Sequence, residues 1–317
     1  MRLLSLCAPA LAVAAALGLS TGARAANLGA ANAFNGFVFG NLTSHGQDTE
    51  GRLAVGGNFT ASSYGVGSGG VGPAVPITNP RTDVLVVGGN MNAQGGWQVF
   101  NGNAVWGTSL TAAPTTTNGI TYQGNPVNFA AAQADLTAKS AAWGALPTNA
   151  TVFFDGYSTL TLTATNAGLN VFNVSESVWE ATSNKQIVNS FPNATLLINI
   201  AGSDVTQFGG MSYNGSSSPS NNHAGVLFNY PTATTVQTNN IAMLGSFLAP
   251  NAALTINGGG INGVGVAASA LQQSGGEFHN FTFGGDIPYT PVVPEPATCV
   301  LAGIGLAAIA AKRRAMK

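Results

Sequence analysis

The chain has 317 residues, of which 7% are charged and 45% are hydrophobic. Disordered proteins combine low hydrophobicity with high net charge, so this hydrophobic content and a formal net charge of −1 exclude general disorder. Lys and Arg are concentrated at the two ends, and between them lie only Arg52, Arg81, Lys139 and Lys185. Binding to phosphate needs clustered basic side chains, so nucleic acid is excluded as a partner.

The first 25 residues predict a secretory signal peptide. Arg2 supplies the positive charge at the start, and an apolar run rich in Ala and Leu follows it. Ala23 and Ala25 are small residues at the positions that signal peptidase recognises, so the mature chain is predicted to start at Ala26. An uncleaved membrane anchor is the alternative.

Residues 26–287 are predicted to form one mainly β domain. Short runs of β-forming residues are closed by Gly, Asn, Pro or Ser throughout this span. Each run is predicted to be one strand, among them 99–106, 151–154 and 170–174. The run 52–61 is echoed 32 residues further on by 84–93, and both contain Gly-Gly-Asn. Such residues suit the tight corners of a stacked coil, where left-handed backbone is needed. We therefore predict an irregular parallel β-helix (solenoid), with a sandwich or a barrel as alternatives.

One segment departs from the β pattern. Asn125 and Pro126 are typical of a helix cap and first turn, and apolar residues then recur at helical spacing from Phe129 to Trp143. We predict one long α-helix over 126–145, packed alongside the β body, with Phe129 and Trp143 as its core anchors.

The domain resembles the choice-of-anchor A family. The residues that carry the resemblance are five segments in a fixed order, namely 37–41 (FVFGN), 48–58 (DTEGRLAVGGN), 169–174 (LNVFNV), 245–251 (GSFLAPN) and 276–280 (GEFHN). The resemblance implies a secreted domain displayed at the cell surface by one of several anchors, and it implies no particular activity.

The C-terminus has three parts after a linker at 288–293. Pro294, Glu295 and Pro296 come first, an apolar segment at 297–311 follows, and Lys312, Arg313 and Arg314 close it. The apolar segment is predicted to be a transmembrane helix, and the basic residues would hold the tail in the cytoplasm. The order of parts over 294–317 resembles the PEP-CTERM sorting signal. That resemblance implies recognition of the Pro-Glu-Pro motif by an exosortase and removal of the membrane segment.

Catalytic and metal sites are weakly supported. The chain has three histidines, and they lie in no sequence pattern of a nucleophilic or zinc site. Asp48, Glu50 and Glu277 are the best candidates for a calcium site, because each lies near a His in a Gly-rich segment. A solenoid with coils stacked in chain order would keep Glu277 far from the other two. We therefore predict no metal site, no cofactor and no catalytic residue.

A threonine row at 159–165 allows a second interpretation. Its four Thr fall on one face of a strand, which could order water against ice or bind sugars. A simpler explanation is a half-exposed strand, where Thr has good β propensity.

The leading hypothesis is a non-enzymatic protein that is exported and anchored transiently in the inner membrane. It would then act at the cell surface or outside the cell, in a structural or adhesive role with exopolysaccharide or a matrix protein. An ice- or glycan-binding module is the first alternative, and a glycan-active β-helix enzyme is the second.

Overall fold

A computed structural model describes residues 24–26, 28–214 and 222–290, with residues 24–26 and 222 described by their backbone alone. Four predicted features lie outside the described residues: the leader up to residue 23, the motif at 294–296, the segment at 297–311 and the basic residues 312–314. Within the described part, no helix has the length and apolar character needed to cross a membrane.

Short strands dominate the described residues. They are β1 Arg24–Ala26, β2 Gly36–Val38, β3 Leu42–His45, β4 Asp48–Thr49, β5 Leu53–Val55, β6 Phe59–Ser62, β7 Gly65–Val66, β8 Asp83–Val87, β9 Asn90–Gln94, β10 Gln98–Val99, β11 Asn103–Trp106, β12 Ser109–Leu110, β13 Thr115–Thr116, β14 Thr121–Gln123, β15 Thr151–Phe154, β16 Thr159–Thr163, β17 Leu169–Ser175, β18 Asn184–Val188, β19 Thr195–Ala201, β20 Asp204–Gln207, β21 Gly210–Asn214, β22 Val226–Asn229, β23 Thr235–Met243, β24 Ser246–Asn262, β25 Gly265–Gln273, β26 Glu277–His279 and β27 Ile287–Tyr289. The helices are α1 Phe129–Gly144 and α2 Glu176–Ala181, with 3-10 turns at Gly29–Ala33 and Asn222–Gly225.

The strands wind into a three-sided parallel solenoid, as predicted. One side, the helix face, is the parallel series β17, β19, β22, β24, β25, β2, β5, β8, β11 and β14. A second side, the ladder face, is the series β20, β23, β24, β25, β3, β6, β9 and β12. The third side includes β24, β26, β4, β7, β10 and β13. The strands β15, β16, β18 and β21 form a separate four-stranded sheet.

The coils do not stack in chain order, which corrects one expectation. Strand β25, from the last coil, pairs with β24 on one edge and with β2 and β3 of the first coil on the other. The first and last coils of the domain are therefore neighbours in the middle of the stack. The expectation that a sequential stack would separate residues 48–50 from 277 was wrong, because the coil that contains β2, β3 and β4 lies beside the last coil.

The Gly-Gly-Asn corners form a ladder of side chains between coils. The backbone amide of Asn58 donates to Oδ1 of Asn41 at 2.8 Å, and the amide of Asn90 donates to Oδ1 of Asn58 at 3.0 Å. A Cβ on Gly89 would lie 2.6 Å from the carbonyl oxygen of Gly57. Each corner therefore requires Gly, because a side chain would clash with the backbone of the neighbouring coil. It also requires Asn, whose side-chain oxygen accepts a backbone amide of the next coil. The 32-residue echo of the sequence corresponds to two stacked coils.

Helix α1 lies on the helix face and closes a second core between itself and the sheet. It spans 129–144, three residues shorter at its start than predicted. Asn128 is its cap, and not Asn125, because Oδ1 of Asn128 accepts the amide of Ala131 at 3.1 Å. Both predicted anchors pack as expected. The Trp143 side chain is fully buried, and the Phe129 ring lies 5.4 Å from that of Phe37.

An asparagine ladder, buried at Asn199 and Asn229, fixes the C-terminal half of α1 to the sheet. Asn229 donates to Oδ1 of Asn199 at 2.9 Å, and Asn199 donates to Oδ1 of Asn173 at 2.8 Å. The same amides reach the helix, since Asn199 donates to the Trp143 carbonyl and Asn229 to the Ser140 carbonyl. The Trp143 carbonyl is one of the last four of α1, which lack a partner within the helix, and it also accepts the amide of Leu146 at 3.2 Å.

Candidate functional site

The ladder face presents rows of polar side chains across its strands. The central row runs over seven strands as Thr206, Gln237, Thr255, Leu271, Thr43, Thr60 and Asn92. Gln237 and Thr60 are exposed, and the others are half-buried. Because side chains alternate in a strand, the residues between them point into the core, among them Leu254 and Phe59.

Two shorter rows flank the central one at two-residue spacing. One contains Asp204, Thr235, Ala253 and Ser269. The other contains Asn239, Asn257 and Gln273 on one half of the face and His45, Ser62 and Gln94 on the other half. These three rows hold no Lys or Arg, and their one carboxylate is Asp204 on the edge strand β20. The ladder face is thus broad, parallel and almost uncharged.

The threonine row on β16 continues onto a neighbouring strand at one position only, where Thr163 pairs with Thr151 of β15. Thr159, Thr161 and Thr163 are half-buried and alternate with buried leucines, and the strand ends at Thr163. Across the sheet, Thr161 pairs with Gln186, and Thr163 pairs with Val188. A single threonine row on a half-exposed strand is therefore what the structure contains here.

Most basic side chains between residues 28 and 290 are held within the fold. Arg52 donates to the carbonyls of Asp83 and Ala33 and lies over the Phe34 ring. Lys139 forms an ion pair with Asp135 at 2.8 Å. Lys185 is 1% exposed, and burial lowers its pKa to about 8. Only Arg81 is exposed, so the described surface offers little positive charge to a polyanion.

The weak metal candidates meet at the seam between the first and last coils. There Phe278 of β26 pairs with Thr49 of β4, which places Glu277 and His279 beside Asp48 and Glu50. Ligand atoms of Glu50, Glu277 and His279 all lie within 4.8 Å of one another. Nε2 of His279 lies 3.5 Å from Oε2 of Glu277, and Nδ1 of His279 lies 2.6 Å from Oδ1 of Asn262.

Glu50 is bound as a structural carboxylate. It is 2% exposed, and its oxygens accept the backbone amides of Val71, Gly72 and Asn280, the last two at 2.9 and 3.0 Å. Arg52, the nearest basic side chain in the sequence, donates to the carbonyl of Asp83 and not to Glu50. Since three amides already occupy Glu50, these contacts account for its burial without a bound ion.

Protonation at the seam is favoured by the concentration of negative charge. Burial, together with the charges of Glu277 and Glu50, raises the pKa of Asp48 to about 6. Burial acts to lower the pKa of His279, but its bond to Glu277 and the nearby charges of Glu50, Glu277 and Asp48 raise it overall. Oδ1 of Asp48 is buried without a hydrogen-bond partner. The seam therefore binds protons more tightly than the unfolded chain does.

Replacing Asp48 with Asn should stabilise the domain at high pH only. The pKa of Asp48 is raised on folding, so its contribution to stability is complete below about pH 4 and is lost as the pH rises through about 6. After a discount for partial exposure, we expect Asp48→Asn to gain about 1–2 kcal/mol at pH 8 and nothing near pH 4. Urea unfolding of residues 26–293 at both pH values measures this. An equal effect at the two pH values would contradict it, and Asp204→Asn, at an exposed position, is the control.

Two family descriptions match this chain. Residues 27–280 match the family described as "Putative Ice-binding-like adhesive domain", and residues 292–314 match the PEP-CTERM protein-sorting motif. The chain belongs to the ice-binding-like adhesive domain family. Both resemblances in the sequence are confirmed, since the adhesive domain is of the choice-of-anchor A type. Together they identify an exported, cell-surface protein whose sorting motif implies processing by exosortase.

Three solved structures are similar over most of the chain. An ice-binding protein from an Antarctic biological consortium is 15% identical with a TM-score of 0.40, over 80% of this chain and 90% of that one. The ice-binding protein of the Antarctic ascomycete Antarctomyces psychrotrophicus is 16% identical with a TM-score of 0.36, over 80% and 98%. A glycosylated ice-binding protein from an Arctic yeast is 13% identical with a TM-score of 0.35, over 87% and 97%. Among curated proteins, no sequence matches this chain.

Proposed function

We propose that this adhesive-domain protein is non-enzymatic and acts as a structural or adhesive component of exopolysaccharide or a biofilm matrix. The observation that carries the proposal is the ladder face, a wide and almost uncharged sheet surface on a domain with few charged residues. In the seam, two carboxylates do approach each other, but Glu50 is buried and bonded to three amides. A glycan-active enzyme needs an accessible carboxylate pair, so the seam supports a structural role.

The proposed route to the surface uses the two ends of the chain. Signal peptidase would cut after Ala25, and the segment at 297–311 would hold the protein in the inner membrane, with Lys312, Arg313 and Arg314 on the cytoplasmic side. Exosortase would then act at Pro294, Glu295 and Pro296 and release or attach residues 26–293.

An ice-binding role is the second candidate. It is favoured by the pairing of Thr43 with Thr60 at the centre of the ladder face, because two threonines are stacked there on a broad sheet. The name of the matched family and those of the similar structures are consistent with it.

A localisation experiment tests the matrix role. Exopolysaccharide from the producing cells is isolated and washed in high salt, and the retained protein is measured. We expect the mature domain to stay with the polysaccharide. Complete recovery in the culture fluid, with no retention by cells or polysaccharide, would refute the matrix role.

Changing Pro294, Glu295 and Pro296 to Ala should block sorting. Without the motif, the apolar segment stays attached, so we expect nearly all of the protein to remain unprocessed in the inner-membrane fraction. Immunoblots of fractionated cells measure this. Pro291→Ala is the matched control and should be processed like the wild type. Normal tail removal in the triple variant would show that the motif is not used.

A further inference from the structure

The central row of the ladder face has the form of a linear binding site. It crosses seven parallel strands at about 4.8 Å per step, so it is about 29 Å long. Its flanking rows lie about 6.7 Å to either side. On the basis of the proposed function, we propose that this face binds one chain of a neutral polysaccharide, which lies across the strands along the central row.

The side chains of the rows match the hydrogen-bonding groups of an uncharged sugar. Thr and Ser hydroxyls both donate and accept, and so do the amides of Asn and Gln. Gln237 and Asn257 both donate to Oδ1 of Asn239, at 2.7 and 3.0 Å. Those bonds leave the amide oxygens of Gln237 and Asn257 to accept from a ligand hydroxyl. A polymer with hydroxyls on every unit can engage many such groups, and the sum of weak contacts supplies the affinity.

The charge of the face selects against other polymers. A uronate or phosphate polymer would meet no Lys or Arg in the three rows and would approach Asp204 at one edge. Protein partners bind through desolvated aromatic and apolar anchors. The rows contain no Phe, Tyr or Trp side chain, their one ring is the imidazole of His45, and their apolar members are Leu271 and Ala253. A face with almost no charge and no apolar anchors therefore fits a hydrated, uncharged glycan.

The composition of the rows favours a flexible ligand over ice. A crystal lattice needs oxygen atoms held at fixed, repeated positions, and Thr meets this because its χ1 angle is restricted. Gln237, Gln273 and Gln94 have long side chains with several free torsions. Leu271 interrupts the central row with a side chain that has no polar atom. A glycan chain can adapt to such a mixed surface, whereas an ice plane cannot.

The test compares matched variants on two faces of the same protein. The full-length chain, purified in mild detergent, is titrated with dextran, amorphous cellulose and alginate, and its affinity is measured by pull-down and affinity electrophoresis. The double variant Thr60→Ala with Gln237→Ala should bind the neutral glucans about tenfold more weakly, because two to four hydrogen bonds are lost. Thr60→Tyr, which keeps β propensity but projects a ring from the flat face, should reduce binding similarly.

The control uses the same residue types on the third side of the solenoid. Thr115 and Gln98 are exposed there, on β13 and β10, which pair with each other. Thr115→Ala with Gln98→Ala, and Thr115→Tyr, should keep affinity within about twofold, a change that one partial hydrogen bond would explain. Wild-type binding to the neutral glucans should also be insensitive to salt, since no ion pair is involved.

The outcomes separate this inference from the proposed function. If the wild type binds glucans but the ladder-face variants bind equally well, the assignment of the face is overturned and the matrix role stands. If the wild type binds alginate, a uronate polymer, in preference to the glucans, the ligand is not a neutral polysaccharide. If the wild type binds no glucan but inhibits ice recrystallisation, and the ladder-face variants lose that inhibition, the ligand of the face is ice and not a glycan. If the wild type binds no glucan and the producing cells' exopolysaccharide also fails to retain it, both proposals fall.

Discussion

Replacing Trp143 with Ala is expected to destabilise the domain by about 3–5 kcal/mol, one of the two largest effects we predict. The indole is fully buried between α1 and the helix face, and its Nε1 donates to the carbonyl of Pro288 at 3.2 Å. Alanine keeps helix propensity, so the loss would come from the cavity and from the broken bond. Urea unfolding of residues 26–293, followed by circular dichroism, measures it.

Trp143→Phe is the graded control. It keeps an aromatic side chain but removes the bond to Pro288, so a smaller loss of about 1–2 kcal/mol is expected. A loss below about 1 kcal/mol for Trp143→Ala would mean that α1 is not needed to cover the helix face. In that case, the second core described between helix and sheet would contribute little to stability.

Replacing Glu50 with Gln should open the seam between the first and last coils. The substitution keeps the shape but places an NH2 group against backbone amides that the carboxylate now accepts, including those of Gly72 and Asn280. Each hydrogen bond to a buried charge is worth about 1.5–3 kcal/mol, and a buried amide left unpaired costs about as much. We expect a loss of about 2–4 kcal/mol and faster hydrogen exchange at residues 71, 72 and 280.

Glu176→Gln is the matched control for the seam. Glu176 also accepts a backbone amide, that of Ser203 at 3.0 Å, but at the exposed start of α2. Solvent can replace that bond, so we expect a loss under about 1 kcal/mol. Equal losses for the two variants, or unchanged exchange at residues 71, 72 and 280 in Glu50→Gln, would contradict a seam held by Glu50.

Strand positions were predicted best where polar corners mark the ends. The run predicted over 151–154 is β15, and the run over 170–174 lies inside β17. The ends of strands were predicted wrongly where an apolar run continues through a corner. Residues 99–106 were predicted as one strand, but Asn101 has a φ of 62° and separates β10 from β11. Both flanking segments face the same core, so their apolar residues conceal the corner between them.

The candidate surfaces could be predicted only in part. The Asp48, Glu50 and Glu277 segments were recognised from the sequence, yet their meeting was not expected. The ladder face was missed because each strand contributes only two or three polar residues to it, and Thr43 and Gln237 become members of one row only through pairing. The asparagine ladder left a signal in the sequence, since Asn173, Asn199 and Asn229 each lie directly between two apolar or aromatic residues.

The sequence by itself determined the local features of this protein. Glycine at close corners, alternation of buried and exposed residues, helical spacing in α1 and the order of parts in the C-terminal tail each depend on neighbours within a few residues. Tertiary structure alone decided which coils touch. Asn280 donates to Glu50 across 230 residues, and Asn35 to Phe281 across 246, because the first coil lies beside the last one. Packing of whole coils selects such contacts, and no local preference encodes them.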